Sequence, residues 1–151
     1  MKIRSESEMK AAGSSAAFSV LSKGQLKKAV VIGLFGNLGS GKTVFSKGFL
    51  GFFGIKRVVS PTFSIMKRYS VKGFPWKNIY HLDCYRVKNP SELSTLGFER
   101  IAADPENIIL LEWPEMAGPL FKGISVHMAY GKTELEREIS LPAGLRQSGS
   151  L

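Results

Sequence analysis

The residues with the most evident chemistry lie in a glycine-rich segment, residues 36–43, which reads G-N-L-G-S-G-K-T. The segment matches G-x-x-x-x-G-K-[ST], the pattern of a phosphate-binding loop, at every fixed position. Glycine adopts backbone conformations that other residues avoid, so successive N–H groups can point inward at phosphate oxygens. The positive end of a following helix adds to that field. The segment therefore predicts a site for the polyphosphate of a nucleoside triphosphate.

Two side chains at the end of the segment have separate predicted roles. Lys42 is placed to reach the β and γ phosphates, and the Thr43 hydroxyl is placed to ligate Mg²⁺. We therefore expect ATP and Mg²⁺ as the cofactors. The alternative is a glycine-rich turn between a strand and a helix that binds no ligand. The residues predicted to contact the nucleotide through this loop are Gly36, Asn37, Leu38, Gly39, Ser40, Gly41, Lys42 and Thr43.

Two acidic residues are candidates for the catalytic step. The apolar run at residues 107–111 ends at Glu112, and a carboxylate at the C-terminal end of a buried strand suits the Walker B role. Glu112 can ligate Mg²⁺ through water, orient an attacking water or simply end a strand. Asp83, within Y-H-L-D-C-Y-R at residues 80–86, can bind the metal, sense the γ phosphate or act as a base. The sequence leaves these roles undivided.

Several neighbouring residues have less definite roles. Thr62 lies in S-P-T-F, residues 60–63, which is either a proline turn or a switch segment that orders around the γ phosphate and Mg²⁺. Trp113 packs either beside the nucleotide or within the core. His81 is interpreted as a structural histidine. Cys84 is interpreted as a small buried hydrophobe, because no activating arrangement surrounds it.

These residues need a scaffold in which strands alternate with helices. The apolar residues 29–35 predict a buried strand before the loop, and the phenylalanine spacing in residues 42–53 predicts a helix after it. The other predicted elements are helices at 1–22, 90–96 and 114–121, a buried strand at 107–111, and two hairpins, one of strands 64–69 and 78–84 and one of strands 124–130 and 135–141. Together they predict an α/β fold with a mixed central β-sheet flanked by helices.

Length and composition agree with one P-loop NTPase domain over residues 1–151, with a core at about 5–141 and a flexible tail at 142–151. The single cysteine, the charged N-terminus and the lack of a long apolar run predict a cytoplasmic protein without a membrane segment. The net charge of +9 suits a nucleotide phosphate or an acidic partner. Because the basic residues form no single block, direct contact with nucleic acid stays open.

Taken in order, the motifs resemble the TsaE family, also called YjeE. G-N-L-G-S-G-K-T-V-F, S-P-T-F, Y-H-L-D-C-Y-R, E-L-S-T-L-G-F-E and L-L-E-W-P-E match that family in order and spacing over about residues 5–141. Many families share the P-loop, whereas S-P-T-F, H-x-D-x-Y-R and E-W-P-E in this order are far more specific. Asn37 and Ser40 stand where the family usually has Asp and Ala, and Cys84 stands where leucine is more usual.

The resemblance implies a small bacterial ATPase that supports threonylcarbamoyladenosine (t6A) formation at position 37 of certain tRNAs, in complex with TsaB and TsaD. It implies slow hydrolysis by the isolated chain and completion of the site by a partner. The resemblance also assigns a phosphate role to Lys42, a metal role to Thr43, and positions in two switch-like segments to Thr62 and Asp83. By the same resemblance, Glu112 takes the Walker B-like position and Trp113 lies beside the nucleotide.

Three other functions use the same loop. A small-metabolite kinase would need an acceptor pocket and usually an arginine-rich lid, which is not evident in the sequence. A GTPase switch would need an N-K-x-D segment, which is absent. A non-enzymatic assembly subunit would bind nucleotide only to set its shape, so tight binding without turnover would distinguish it.

Overall fold

A mixed β-sheet forms the centre of the computed structural model, which describes residues 1–59 and 64–146. In those residues seven strands are ordered β1-β7-β6-β2-β5-β4-β3. The strands are β1 (Lys2–Ile3), β2 (Val30–Phe35), β3 (Met66–Ser70), β4 (Asn78–Asp83), β5 (Asn107–Glu112), β6 (Ile124–Tyr130) and β7 (Arg137–Ser140). The helices are α1 (Glu6–Lys23), α2 (Lys42–Phe52), α3 (Ser91–Thr95) and α4 (Phe98–Ala103), with 3₁₀ helices at Pro114–Leu120 and Ala143–Leu145.

The strand directions confirm the predicted mixed sheet. β2 pairs parallel with β5 and with β6, and β4 pairs parallel with β5. The two predicted hairpins are present as the antiparallel pairs β3–β4 and β6–β7. Because β2, β4 and β5 run in the same direction, their carboxyl ends meet at one edge of the sheet, where ligands bind in open α/β folds.

Helices α1 and α2 cover one face of the sheet, and α3, α4 and the 3₁₀ helix at Pro114–Leu120 cover the other. The two helices of the first face pack backbone to backbone. A Cβ atom at Gly13 of α1 would overlap the carbonyl oxygen of Phe45, and one at Gly48 of α2 would overlap that of Lys10. Gly13, which lowers helix propensity, is therefore required by the close approach of α1 to α2.

Some predicted boundaries were wrong. The first helix begins at Glu6, because Lys2–Ile3 pairs with β7 instead, and Ser5 caps the helix by accepting a hydrogen bond from the Glu8 N–H at 3.1 Å. Helix α4 was not predicted.

The chain after β7 continues along the domain as far as the described residues extend. Leu145 is buried, and the Arg146 guanidinium donates to the Leu141 carbonyl at 2.8 Å. The Leu145 side chain packs into the core, which explains why the chain continues against the domain after β7. Residues 147–151 lie outside the described part of the chain. Within the described part, no helix combines the length and apolar character needed to cross a membrane.

Candidate functional site

The glycine-rich loop connects the end of β2 to the start of α2, as predicted. Gly39 and Gly41 have φ values of 76° and 107°, in the region that only glycine adopts readily. A Cβ atom at Gly39 would lie 2.6 Å from the Tyr130 hydroxyl, and one at Gly41 would lie 2.6 Å from the Met9 side chain. Both glycines are therefore required by backbone conformation and by close neighbours.

Lys42 holds its ammonium group inside the loop. Its Nζ donates to the carbonyl oxygens of Gly36 at 2.5 Å and Asn37 at 3.0 Å. Burial lowers the pKa of Lys42, while the nearby carboxylates of Glu112 and others oppose that shift. Among the described residues no carboxylate forms a salt bridge with this ammonium. The positive charge is thus held by neutral carbonyls at the position where an anionic phosphate would bind.

Glu112 links the loop helix to the sheet. It is only 2% exposed. Its Oε1 accepts a hydrogen bond from the Thr43 hydroxyl at 3.2 Å, and its Oε2 lies 2.6 Å from Nε2 of the buried His81. His81, interpreted from sequence as structural, therefore contacts the candidate Walker B acid directly. Its other ring nitrogen, Nδ1, is buried and has no hydrogen-bond partner among residues 1–59 and 64–146.

The donor set at Thr43 and Glu112 fits Mg²⁺. The two oxygen atoms already lie within hydrogen-bond distance of each other. Mg²⁺ prefers oxygen ligands, and in phosphate-transfer sites it usually takes one or two from protein and the rest from water and phosphate. The described residues contain no cluster of three or more His, Cys, Asp or Glu side chains that could hold a metal alone. A phosphate-dependent magnesium site needs no such cluster.

Asp83 lies beside Glu112, because the two residues are in register on the neighbouring strands β4 and β5. Its Oδ1 accepts the Tyr85 N–H at 3.0 Å. Burial raises the pKa of Asp83, and Glu112 adds to the increase, while the Tyr85 N–H opposes it. Asp83, Glu112, Lys42 and Thr43 all line one cavity of about 350 Å³ at this edge of the sheet.

Trp113 has the one positive φ of a non-glycine residue in the described chain, with φ 58° and ψ 54°. Such a conformation costs about 1 kcal/mol or more and persists where surrounding contacts fix it. The indole ring lies 4.2 Å from Lys42 Nζ and 5.0 Å from the Tyr85 ring, measured to the ring centroids. The backbone turn therefore directs Trp113 over the loop lysine, at the wall of the cavity.

The structure brings together Lys42, Thr43, Asp83, Glu112 and Trp113, which the sequence proposed separately. Thr62 lies outside the described residues. Cys84 is fully buried, and burial raises the pKa of its thiol to about 12, which agrees with its interpretation as a buried hydrophobe.

Three contacts at the site were missed from the sequence. One is the pairing of His81 with Glu112. The others are hydrogen bonds from Tyr130 and Arg137 to the outer carbonyls of the loop. Strand alternation placed His81 on the same face as Asp83 and could have pointed to its pairing. No local pattern connects Tyr130 or Arg137 with a loop so distant in sequence.

The parallel strands, the glycine loop at the start of α2 and the acid at the end of β5 define a P-loop α/β domain. Residues 3–139 match the family described as Threonylcarbamoyl adenosine biosynthesis protein TsaE. This chain therefore belongs to the TsaE family.

Individual relatives agree with that assignment. The tRNA threonylcarbamoyladenosine biosynthesis protein TsaE of Rickettsia typhi is 41% identical over 101 residues, which cover 66% of this chain and 67% of the relative. The Bacillus subtilis protein of the same name is 41% identical over 91 residues, covering 60% and 54%. The crystal structure of Bacillus subtilis YdiB superposes with a TM-score of 0.68 and 29% identity, covering 92% of this chain and 80% of YdiB.

Proposed function

We propose that this chain binds Mg-ATP at residues 36–43, hydrolyses the γ phosphate and, in complex with TsaB and TsaD, supports t6A modification of tRNA. The observation that carries the proposal is a single cavity in which the Lys42 ammonium faces two carboxylates, Asp83 and Glu112, at the end of a glycine loop. A structural turn needs neither a desolvated lysine nor two adjacent acids, whereas phosphoryl transfer uses both.

Binding rests on the loop and on the start of α2. The backbone N–H groups of the loop and the Lys42 ammonium stabilise negative charge on the β and γ phosphates. A second cavity, of about 270 Å³, opens beside Gly41, and its lining combines apolar residues such as Met9, Val44 and Leu135 with charged ones that include Arg137. The apolar part of this lining suits the base of the nucleotide, so the proposal places the phosphates in the loop and the base here.

Thr43 and Glu112 would hold Mg²⁺, directly or through water. When bound, the ion supplies positive charge to the β and γ phosphate oxygens. The role of Glu112 follows from its contacts, since one carboxylate oxygen engages Thr43 and the other engages His81. These contacts fix the carboxylate and leave it little freedom to move with a water molecule.

Asp83 then has the role of positioning the attacking water. Its carboxylate is partly exposed and is engaged by one backbone N–H, that of Tyr85. Burial raises its pKa, which makes it a stronger proton acceptor than an ordinary aspartate once it is ionised. An acid on the neighbouring strand to Glu112, in register with it, can orient water toward a phosphate held by Lys42.

The test is steady-state phosphate release from Mg-ATP by the chain alone and with TsaB and TsaD. We expect slow turnover alone and faster turnover with the partners, because a partner completes the site in many switch NTPases. Lys42→Ala should abolish nucleotide binding or hydrolysis. Lys47→Ala, which removes an exposed lysine from the same helix, is the matched control and should behave as wild type.

Four outcomes would contradict the proposal. Wild-type turnover in Lys42→Ala would remove the phosphate role. Fast hydrolysis by the chain alone, unchanged when TsaB and TsaD are added, would contradict activation by the partners. Transfer of the γ phosphate to a small metabolite, instead of its release, would support the kinase alternative. Stronger competition by GTP than by ATP would remove the preference for adenine.

A further inference from the structure

The β6–β7 hairpin grips the outer side of the phosphate loop through two side chains. The Tyr130 hydroxyl donates to the Leu38 carbonyl at 2.5 Å, and Arg137 Nε donates to the Gly39 carbonyl at 3.0 Å. The Arg137 guanidinium also stacks 4.3 Å from the centroid of the Tyr130 ring. We call Tyr130 and Arg137 together the loop clamp.

The hairpin holds the clamp residues in place. Tyr130 and Arg137 are directly opposite each other in the antiparallel pair β6–β7. Arg137 Nη1 donates to the carbonyls of Glu134 and Glu136 at 2.6 and 3.0 Å, so the turn before β7 braces the guanidinium. Arg137 also pairs with Ile3 of β1 on its other side. The guanidinium is therefore oriented by its own hairpin, independently of any ligand.

The clamp acts on the peptide groups that would face phosphate. In a trans peptide the carbonyl and the following N–H point in opposite directions. Fixing the Leu38 and Gly39 carbonyls on the outside therefore directs the N–H groups of Gly39 and Ser40 into the loop. The Ser40 N–H donates to the Asn37 carbonyl at 3.1 Å, and the same carbonyl accepts from the Lys42 ammonium inside the loop. Without the clamp, glycine at position 39 would sample many other orientations.

We propose that Tyr130 and Arg137 are positioning residues that preorganise the phosphate loop by holding the Leu38 and Gly39 carbonyls away from the bound polyphosphate. The inference rests on the proposed function and adds to it two residues outside the P-loop motif. Preorganisation strengthens binding because the ordering entropy of the loop is lost on folding instead of on binding. Tyr130 and Arg137 both contact outer carbonyls of the loop. Arg137 also lines the cavity proposed for the base, so a ligand without a base isolates its effect through the loop backbone.

The experiment compares Tyr130→Phe and Arg137→Lys with wild type in binding of Mg-ATP and of magnesium tripolyphosphate, which has no base or sugar. Losing one hydrogen bond of ordinary strength corresponds to a change of about 2- to 12-fold in Kd. We expect each variant to weaken both ligands by about fivefold. In hydrolysis assays KM should rise while kcat stays within about twofold, since binding is lost equally in the ground and transition states.

Two matched controls separate the clamp from general effects. Tyr80→Phe removes a tyrosine hydroxyl from the β4 strand, away from the loop, and Arg146→Lys removes an arginine whose Nε donates to the Leu141 carbonyl far from the site. Both should bind as wild type.

Hydrogen exchange at the Gly39 and Ser40 amides is the second measurement. It should quicken in the two clamp variants, with the melting temperature close to that of wild type.

The outcomes are distinguishable from failure of the proposed function. If wild type binds neither ligand, the proposed function fails. If wild type binds and both clamp variants bind within twofold of it, with unchanged exchange at Gly39 and Ser40, the clamp is overturned. If Arg137→Lys weakens ATP but not tripolyphosphate while Tyr130→Phe weakens neither, Arg137 contacts the base or sugar directly, and the clamp is likewise overturned.

Discussion

Strand β5 carries a buried polar residue at each end, and the two ends are built for different purposes. Asn107 at the first residue is 3% exposed and Glu112 at the last is 2% exposed. The residues between them are fully buried and apolar. Two positions with nearly the same burial on the same strand therefore differ in the charge of the side chain and in the groups that surround it.

At the amino end, neutral groups satisfy the buried side chain. The Asn107 amide donates to the Ile101 carbonyl at 3.0 Å and accepts from the Asn78 amide at 3.3 Å. Both groups of the side chain have partners, and none of the partners carries charge. Such a closed network joins β5 to α4 and β4, which is a structural role.

At the carboxyl end, the buried residue is an acid among groups that are not fully satisfied. Glu112 engages Thr43 and His81. Within the described part of the chain, His81 Nδ1 has no hydrogen-bond partner and the Lys42 ammonium has no carboxylate in a salt bridge. The next residue, Trp113, has a strained backbone. Natural proteins retain such features where they serve binding or catalysis. Burial alone therefore does not identify a functional polar residue. What identifies it is that the polar groups around it lack hydrogen-bond or ion-pair partners.

The largest expected effect is at the carboxyl end. Glu112→Gln keeps the size of the side chain and its ability to accept from Thr43 but removes its charge. We expect kcat for ATP hydrolysis, measured with TsaB and TsaD present, to fall by about 100-fold or more. The free energy of unfolding should change by less than about 1 kcal/mol, because the hydrogen bonds can persist. Undiminished hydrolysis would mean that Glu112 only ends a strand, and the contrast between the two ends would disappear.

The next effect is at the amino end. Asn107→Ala leaves the buried Ile101 carbonyl without its side-chain donor, so the free energy of unfolding in urea should fall by about 1–3 kcal/mol. Asn78→Ala, at the partly exposed end of β4, removes one longer hydrogen bond and should cost less. Affinity for Mg-ATP should be unchanged in both variants. If either variant lost affinity for Mg-ATP while its free energy of unfolding stayed at the wild-type value, the amino end of β5 would have a functional role.

The smallest effect is a pH dependence that only the carboxyl end can show. The pKa of Asp83 is raised in the folded chain, so the folded state holds this proton more tightly than the unfolded state. The resulting stability is present below the ordinary aspartate pKa of 3.8 and is lost as pH rises through the folded pKa. Asp83→Asn should therefore gain stability relative to wild type across that window.

Urea unfolding without nucleotide, from pH 3.5 to pH 7, measures this difference. Partial exposure keeps its size below about 1 kcal/mol. Asn107→Ala carries no titrating group and should differ from wild type by the same amount at every pH. The prediction would be contradicted if the difference in free energy of unfolding between Asp83→Asn and wild type stayed constant or narrowed as pH rises.

Much of this site could be predicted from the sequence because its signals are local. The glycine loop follows an apolar run and precedes phenylalanines at helical spacing, and Glu112 ends a second apolar run. The sequence did not predict that β4 pairs with β5, and it is this parallel pairing in the structure that places Asp83 opposite Glu112. Periodicity and one motif therefore sufficed for the fold class and for most of the cavity.

The rest depends on contacts that no local pattern encodes. Tyr130 and Leu38 are 92 residues apart in the chain, and Arg137 and Gly39 are 98 apart. The sequence predicted Lys2–Ile3 as part of a helix, whereas in the structure these residues form a strand that pairs with β7. The backbone of Trp113 is turned by the packing around it and not by its own preference. Tertiary packing decided each of these features.

The glycine contacts between α1 and α2 limit how the molecule can respond to a ligand. At Gly13 and Gly48 the two helix backbones touch without side chains between them, so there is no deformable layer to absorb a shift. Helix α2, which follows the phosphate loop, is thus fixed against α1 along one side. If the proposed nucleotide cycle moves parts of the domain, we expect the movement on the other flank of α2, at the carboxyl ends of β4 and β5.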